Sequence, residues 1–84
     1  LWTRDTLSMR DKRLLLIGII AEKGEPLTFK IQIKASLKRG EINPDEAREL
    51  LLFIAQYAGY PRAASMLVPV EEAIAEFEKE QEAD

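Results

Sequence analysis

An all-α fold is what this sequence predicts, and three observations carry the prediction. Residues 43–62, reading N-P-D-E-A-R-E-L-L-L-F-I-A-Q-Y-A-G-Y-P-R, spell out a helix with both of its ends. A second apolar run, residues 14–21, follows a capping signal at Ser8 and Asp11. No segment reads as a convincing strand, and no internal repeat or low-complexity linker interrupts the chain.

The opening residues 1–7 read as an extended or loosely turned segment. Trp2 is the only tryptophan. As an amphipathic aromatic it suits a core or interface anchor, or the wall of a pocket. Ser8, with Asp11 three residues on, resembles a capping box. It predicts a helix over residues 9–23 with Gly24 at its C′ position. The centre of that helix, L-L-L-I-G-I-I-A, is apolar all round, with Arg10, Asp11, Lys12 and Arg13 before it and Glu22 and Lys23 after it. Gly18 costs about 1 kcal/mol against Ala in a helix interior, so it predicts close approach of another helix. Arg10 and Arg13 stand in the first turn, where the helix dipole disfavours cations. Each therefore expects an acidic partner. Asp5, Asp11 or the acidic strip of the 43–62 helix would serve structurally, and a substrate carboxylate would serve functionally.

Gly24-Glu25-Pro26 reads as a turn, and Thr28 as the cap of a second helix running to about Arg39 and closed by Gly40. Phe29, Ile33, Ser36 and Leu37 form its buried face, while Gln32 lies on another strip with Thr28, Ser36 and Arg39. Lys30, Lys34 and Lys38, at i, i+4 and i+8, read as a solvated stripe. In the third helix Asn43 is the N-cap, Pro44 takes the first helical position, and Glu46 completes the capping box. Asp45 and Glu46 oppose the positive end of the dipole, and Gly59 stops the helix. Between them Asp45, Glu49 and Gln56 fall on one narrow strip and apolar residues cover nearly everything else, so neighbours are expected on most sides. Pro61 opens a fourth helix with Ala63, Ala64, Met66 and Leu67 on a small-residue face. Pro69 should break or kink it. A restarted segment carries Val70, Ala73, Ile74 and Phe77 at helical spacing, and the acidic residues 78–84 should fray.

With 84 residues the chain is a single domain that buries only roughly 60–65% of its unfolded surface if it folds alone. Two helices apolar on nearly every side are more than four short helices can surround, so a homo-oligomer is expected. A net charge of -3 argues against nucleic acid as a partner. The chain has no Cys and no His. It therefore lacks disulfides, thiol chemistry and the commonest general base and metal ligand. The longest apolar run falls far short of the ~20 residues of a membrane span. No signal peptide is visible, so a cytoplasmic location is expected.

The order of these signals resembles the carboxymuconolactone decarboxylase family. The matching pieces are L-W-T-R-D-T-L-S-M-R-D-K-R-L-L-L-I (residues 1–17), A-S-L-K-R-G (35–40) and N-P-D-E-A-R-E-L-L-L-F-I-A-Q-Y-A-G-Y-P-R-A (43–63). The resemblance implies a small helical unit of the alkylhydroperoxidase D-like type that assembles into trimers or hexamers. It also implies further N-terminal residues in the full chain. The family's decarboxylases place a His shortly before A-A-L-x-x-G, and that position is taken here by Gln32, which orients by hydrogen bonds but does not shuttle protons. The peroxidase branch needs C-x-x-C-x-x-x-H. Its Cys positions fall on Glu25 and Thr28, which removes that chemistry.

Two functions follow as expectations. In the first, the protein is a cofactor-free lyase or isomerase acting on a small carboxylated lactone or aromatic-degradation intermediate. Gln32, Glu46 and Tyr57 are its candidate catalytic residues, Glu25 and Tyr60 further proton-transfer candidates, and Trp2, Arg10, Arg13 and Tyr60 line the substrate site. In the second, it is a non-catalytic oligomeric binding or assembly protein that kept the fold without the family His.

Overall fold

The computed structural model describes residues 2–83. Leu1 and Asp84, the outer ends of the expected extended segment and acidic tail, lie outside them. Four helices follow in order: α1 (Met9–Lys23), α2 (Pro26–Lys38), α3 (Pro44–Tyr57) and α4 (Tyr60–Ala83). The described residues contain no strand, in keeping with the all-α expectation.

The helix ends follow local chemistry. Ser8 Oγ accepts from the Asp11 backbone N–H at 3.0 Å and sets the start of α1. Gly24 ends α1 in the left-handed region, at φ 71°, and a side chain there would also run into the Arg62 guanidinium. That guanidinium sits at the end of α1 where the dipole favours a cation. At α3 the capping box is complete: Asn43 Oδ1 accepts from Glu46 N–H at 2.8 Å, and Glu46 Oε1 accepts from Asn43 N–H at 2.9 Å.

Two boundaries differ from expectation. α2 starts at Pro26, not after a Thr28 cap, and its N-cap is Glu25. The fixed φ of Pro26 is already that of a first helical residue, so the turn flows into the helix two residues early. α4 runs unbroken through Pro69. Met66, Val70 and Ile74, on both sides of the proline, are fully buried and hold both halves against one core. Their burial is together worth about 4.5–9 kcal/mol, more than the ~3 kcal/mol an interior proline costs. Nor does the acidic end separate from the fold, since helix continues to Ala83 and Glu80 lies 3.3 Å from Lys34.

α4 is the central element. It packs most extensively on α2 and then on α3; α1 packs mainly on α2, and α1 and α3 hardly touch. Phe29, Ile33 and Leu37 of α2 meet Met66, Val70, Ala73 and Ile74 of α4 in the core, joined by Ile17 and Ala21 of α1 and Ala47 of α3. The buried face of α2 is the expected one: Phe29, Ile33, Ser36 and Leu37. The molecule measures 37 × 32 × 19 Å, a slab about two helix diameters thick. In a slab that thin α4, between α2 and α3, is covered on two sides, whereas α3 packs mainly on α4. α3 therefore does not lie among neighbours on most sides. Only Ala47 and Ile54 of α3 are buried, while Leu52 and Phe53 are each 66% exposed.

The lysine stripe of α2 is not merely solvated. Lys30 Nζ lies 2.6 Å from Glu76, Lys34 lies 3.1 Å from Glu76 and 3.3 Å from Glu80, and Lys38 lies 3.5 Å from Glu80. Partner numbers rise together, so α2 and α4 run parallel and the ladder fixes their register. Arg48 of α3 forks onto Glu71 of α4 at 2.9 and 3.1 Å, tying the other face of α4 in the same way. No helix among the described residues is long and apolar enough to cross a membrane.

Candidate functional site

The site begins with the α2–α3 connection. Ser36 carbonyl accepts from Glu41 N–H at 2.9 Å, and this folds residues 39–42 back over the end of α2. Glu41 is thereby turned toward α1. Its Oε1 accepts from Arg13 Nε at 3.0 Å, and both side chains are only 10% exposed. Arg13 Nη1 donates to Gln32 Oε1 at 2.6 Å. The guanidinium carbon lies 5.4 Å from the Trp2 ring centroid, a cation–π arrangement. One turn earlier, Arg10 Nε donates to the Glu41 carbonyl at 2.8 Å and Arg10 Nη2 to Glu46 Oε2 at 2.9 Å.

The fold thus gathers Trp2, Arg13 and Gln32 at one point and Arg10 with Glu46 beside it, and Glu41 holds Arg13 by its carboxylate and Arg10 by its carbonyl. Glu41 was not singled out from sequence. Nothing in its local sequence signals the pairing, which is set by the fold-back of the α2–α3 connection. Arg10 finds its acid on the 43–62 helix, but at Glu46 of the capping box rather than on the expected Asp45–Glu49 strip. Arg13 finds a carboxylate in the connection instead.

This arrangement has chemical consequences. A guanidinium has five N–H donors. Arg13 already gives two to the chain's own Glu41 and Gln32, and Glu46 serves both the Arg10 pair and the α3 capping box. Removing either member of the Arg13–Glu41 pair would strand a buried charge. The cluster therefore locks α1 to the start of α3 through the connection.

The tyrosines lie elsewhere. Tyr57 ends α3, eleven residues from Glu46 and so roughly 16 Å along the helix axis. It is exposed and tilted against Phe53 with centroids 4.7 Å apart. Tyr60 opens α4 and is likewise exposed. Glu25 is the exposed N-cap of α2. The structure does not join these three to Gln32. No group of three or more His, Cys, Asp or Glu residues suited to hold a metal ion occurs among the described residues.

A different feature occupies the gap between α1 and α3. There an apolar groove of about 520 Å³ is lined by Leu15, Gly18 and Ile19 on one side and Leu50, Phe53 and Ile54 on the other. Apart from α1's own adjoining backbone, nothing lies within 4 Å of where a Gly18 side chain would stand, so within one chain no other helix makes the close approach expected there.

No family model, curated protein or solved structure matched this chain.

Proposed function

We propose that this protein is a non-catalytic assembly module, a helical unit that packs against further copies of itself through the α1/α3 groove. The observation that carries the reading is the groove itself. Leu15, Ile19, Leu52 and Phe53 on and beside it are 61%, 48%, 66% and 66% exposed, and Gly18 leaves its floor open to a helix backbone. Each such side chain forgoes about half of a ~1.5–3 kcal/mol burial, so covering four contributes about 3–6 kcal/mol. That is a large part of the ~5–15 kcal/mol by which a typical domain is stable. The trimer or hexamer implied by the family resemblance is the expected closed form. Sedimentation equilibrium from low to high micromolar protein tests it. The expected result is an oligomer that Phe53→Glu converts to a folded monomer. A wild-type chain that stays monomeric with native helix content throughout would end the proposal.

A second reading, lyase or isomerase chemistry on a small carboxylated lactone, has one observation in its favour: Trp2, Arg13 and Gln32 converge. Release of CO2 or rearrangement of a carboxylated lactone, lost in Gln32→Ala, would establish it. Turnover no faster than the buffer blank would dismiss it.

A further inference from the structure

A second hollow, of about 430 Å³, lies between the N-terminal segment and α1, next to the groove along Leu15 and Ile19. Its size falls within the range of about 300–1,000 Å³ usual for small-molecule sites. Trp2, Leu7, Leu16 and Ile19 give it apolar walls, and Arg4 and Lys12 also line it. Lys12 Nζ donates to the backbone carbonyls of Trp2, at 3.0 Å, and of Arg4. Those bonds hold the ammonium at the wall and leave one of its three donors unused. Among the described residues neither Arg4 nor Lys12 is ion-paired, whereas Arg10 and Arg13 of the same region each hold a carboxylate.

We propose that this hollow binds a small acidic amphiphile, a molecule with an apolar body and one carboxylate or similar anionic head. The body replaces water against Trp2, Leu7, Leu16 and Ile19. The head takes the free Lys12 donor and the Arg4 guanidinium, giving charge-assisted hydrogen bonds to two cations that otherwise have no anion. A neutral apolar ligand would leave both cations unmatched beside it, and a cationic one would be repelled. Leu15 and Ile19 line both this hollow and the α1/α3 groove, so the titration below is made on Phe53→Glu as well as on the wild-type chain.

Trp2, as the only tryptophan, reports on the site directly. Decanoate below its micellar range is titrated against the protein while Trp2 emission is followed, with decanol as the neutral match and phosphatidylglycerol vesicles as a lipid-surface control. The expected result is a saturable emission change with decanoate, at least about tenfold tighter than with decanol. Arg4→Met and Lys12→Met should each weaken decanoate by about tenfold and leave decanol unchanged. Arg4 makes no side-chain bond that holds the fold, so Arg4→Met tests the head-group contact even if Lys12→Met loosens the N-terminal segment. No saturable change, equal affinity for decanoate and decanol, a response to vesicles alone, or unchanged decanoate affinity in Arg4→Met would each overturn the proposal.

Discussion

The α2/α4 pair and the α1/α3 pair treat their apolar residues in opposite ways. α2 and α4 run parallel and bury Phe29, Ile33, Met66, Val70 and Ile74 between and around them. A Lys–Glu ladder then seals the solvent edge of their contact. α1 and α3 hardly meet, and they turn Leu15, Ile19, Leu52 and Phe53 outward. The first pair is finished within one chain. The second has the composition of a core but the position of a surface. Apolar content alone therefore does not say where a core is, because a helix buries only the stripe that another element reaches.

The sharpest test of that contrast sets Phe29 against Leu15. Phe29→Ala should cost about 3–5 kcal/mol, as a large residue removed from a closed core. Leu15→Ala should change the stability of the single chain by no more than about 0.5 kcal/mol. Urea unfolding at low protein concentration measures both. Equal losses would mean that the two pairs are not different in kind.

Next in size is the lock that ties α1 to the start of α3. Arg13→Met leaves the Glu41 carboxylate buried without its partner and should cost about 3 kcal/mol. Adding Glu41→Leu should restore most of that loss, because the charge is then gone from both sides. Chemical denaturation of the two single variants and the double variant gives the coupling. If the double variant is as unstable as Arg13→Met, the pair matters for shape rather than charge.

Gly18→Ala separates the chain from its assembly. With nothing beyond the helix's own backbone within 4 Å of the added methyl, the substitution should stabilise the single chain by about 0.5–1 kcal/mol through helix propensity. In a packed α1/α3 interface the same methyl should weaken association. Unfolding and sedimentation of one preparation read both effects, and stabilisation with unaltered association would place the interface away from Gly18.

The smallest effect belongs to the ladder. Hydrogen bonds from Lys30 and then Lys34 hold the Glu76 carboxyl below its ordinary 4.5; desolvation opposes them, and the two lysine charges add a smaller pull in the same direction as the bonds. A folded value below the unfolded one adds stability above about pH 4.5, and that stability is lost as pH falls through the folded value. Lys30 and Lys34 are raised above 10.5, chiefly by hydrogen bonding to Glu76. Their share is whole below pH 10.5 and is lost as pH climbs through the folded values. Thermal unfolding from pH 3 to 11 should therefore fall at both extremes, and Glu76→Gln should flatten both limbs. High salt should do the same, since these exposed charges are readily screened. An unchanged acid limb in Glu76→Gln would assign it to other carboxylates, such as Glu71 paired with Arg48.

The sequence by itself determined the helices and most of their ends. Ser8, Gly24, Asn43, Pro44 and Glu46 act through bonds and dihedral angles that span four residues or fewer, so local order is enough to read them. It also determined the buried stripe of α2, because 3.6-residue spacing is a property of the helix alone. Tertiary structure decided the rest. Whether Pro69 breaks α4 depended on what both halves pack against, and the lysine stripe depended on a glutamate stripe forty residues away meeting it in register. The acid that Arg13 takes depended on how the α2–α3 connection folds back. The partial site, Trp2 with Arg13 and Gln32, was legible as residue types, but Glu41 was not, because nothing local marks a carboxylate as the one a distant guanidinium will reach. Which apolar helix faces inward was likewise open: α3 and α4 compete for the centre. α4 takes it, packed by α2 and α3, and the larger side chains of α3, Leu52 and Phe53, stay at the surface.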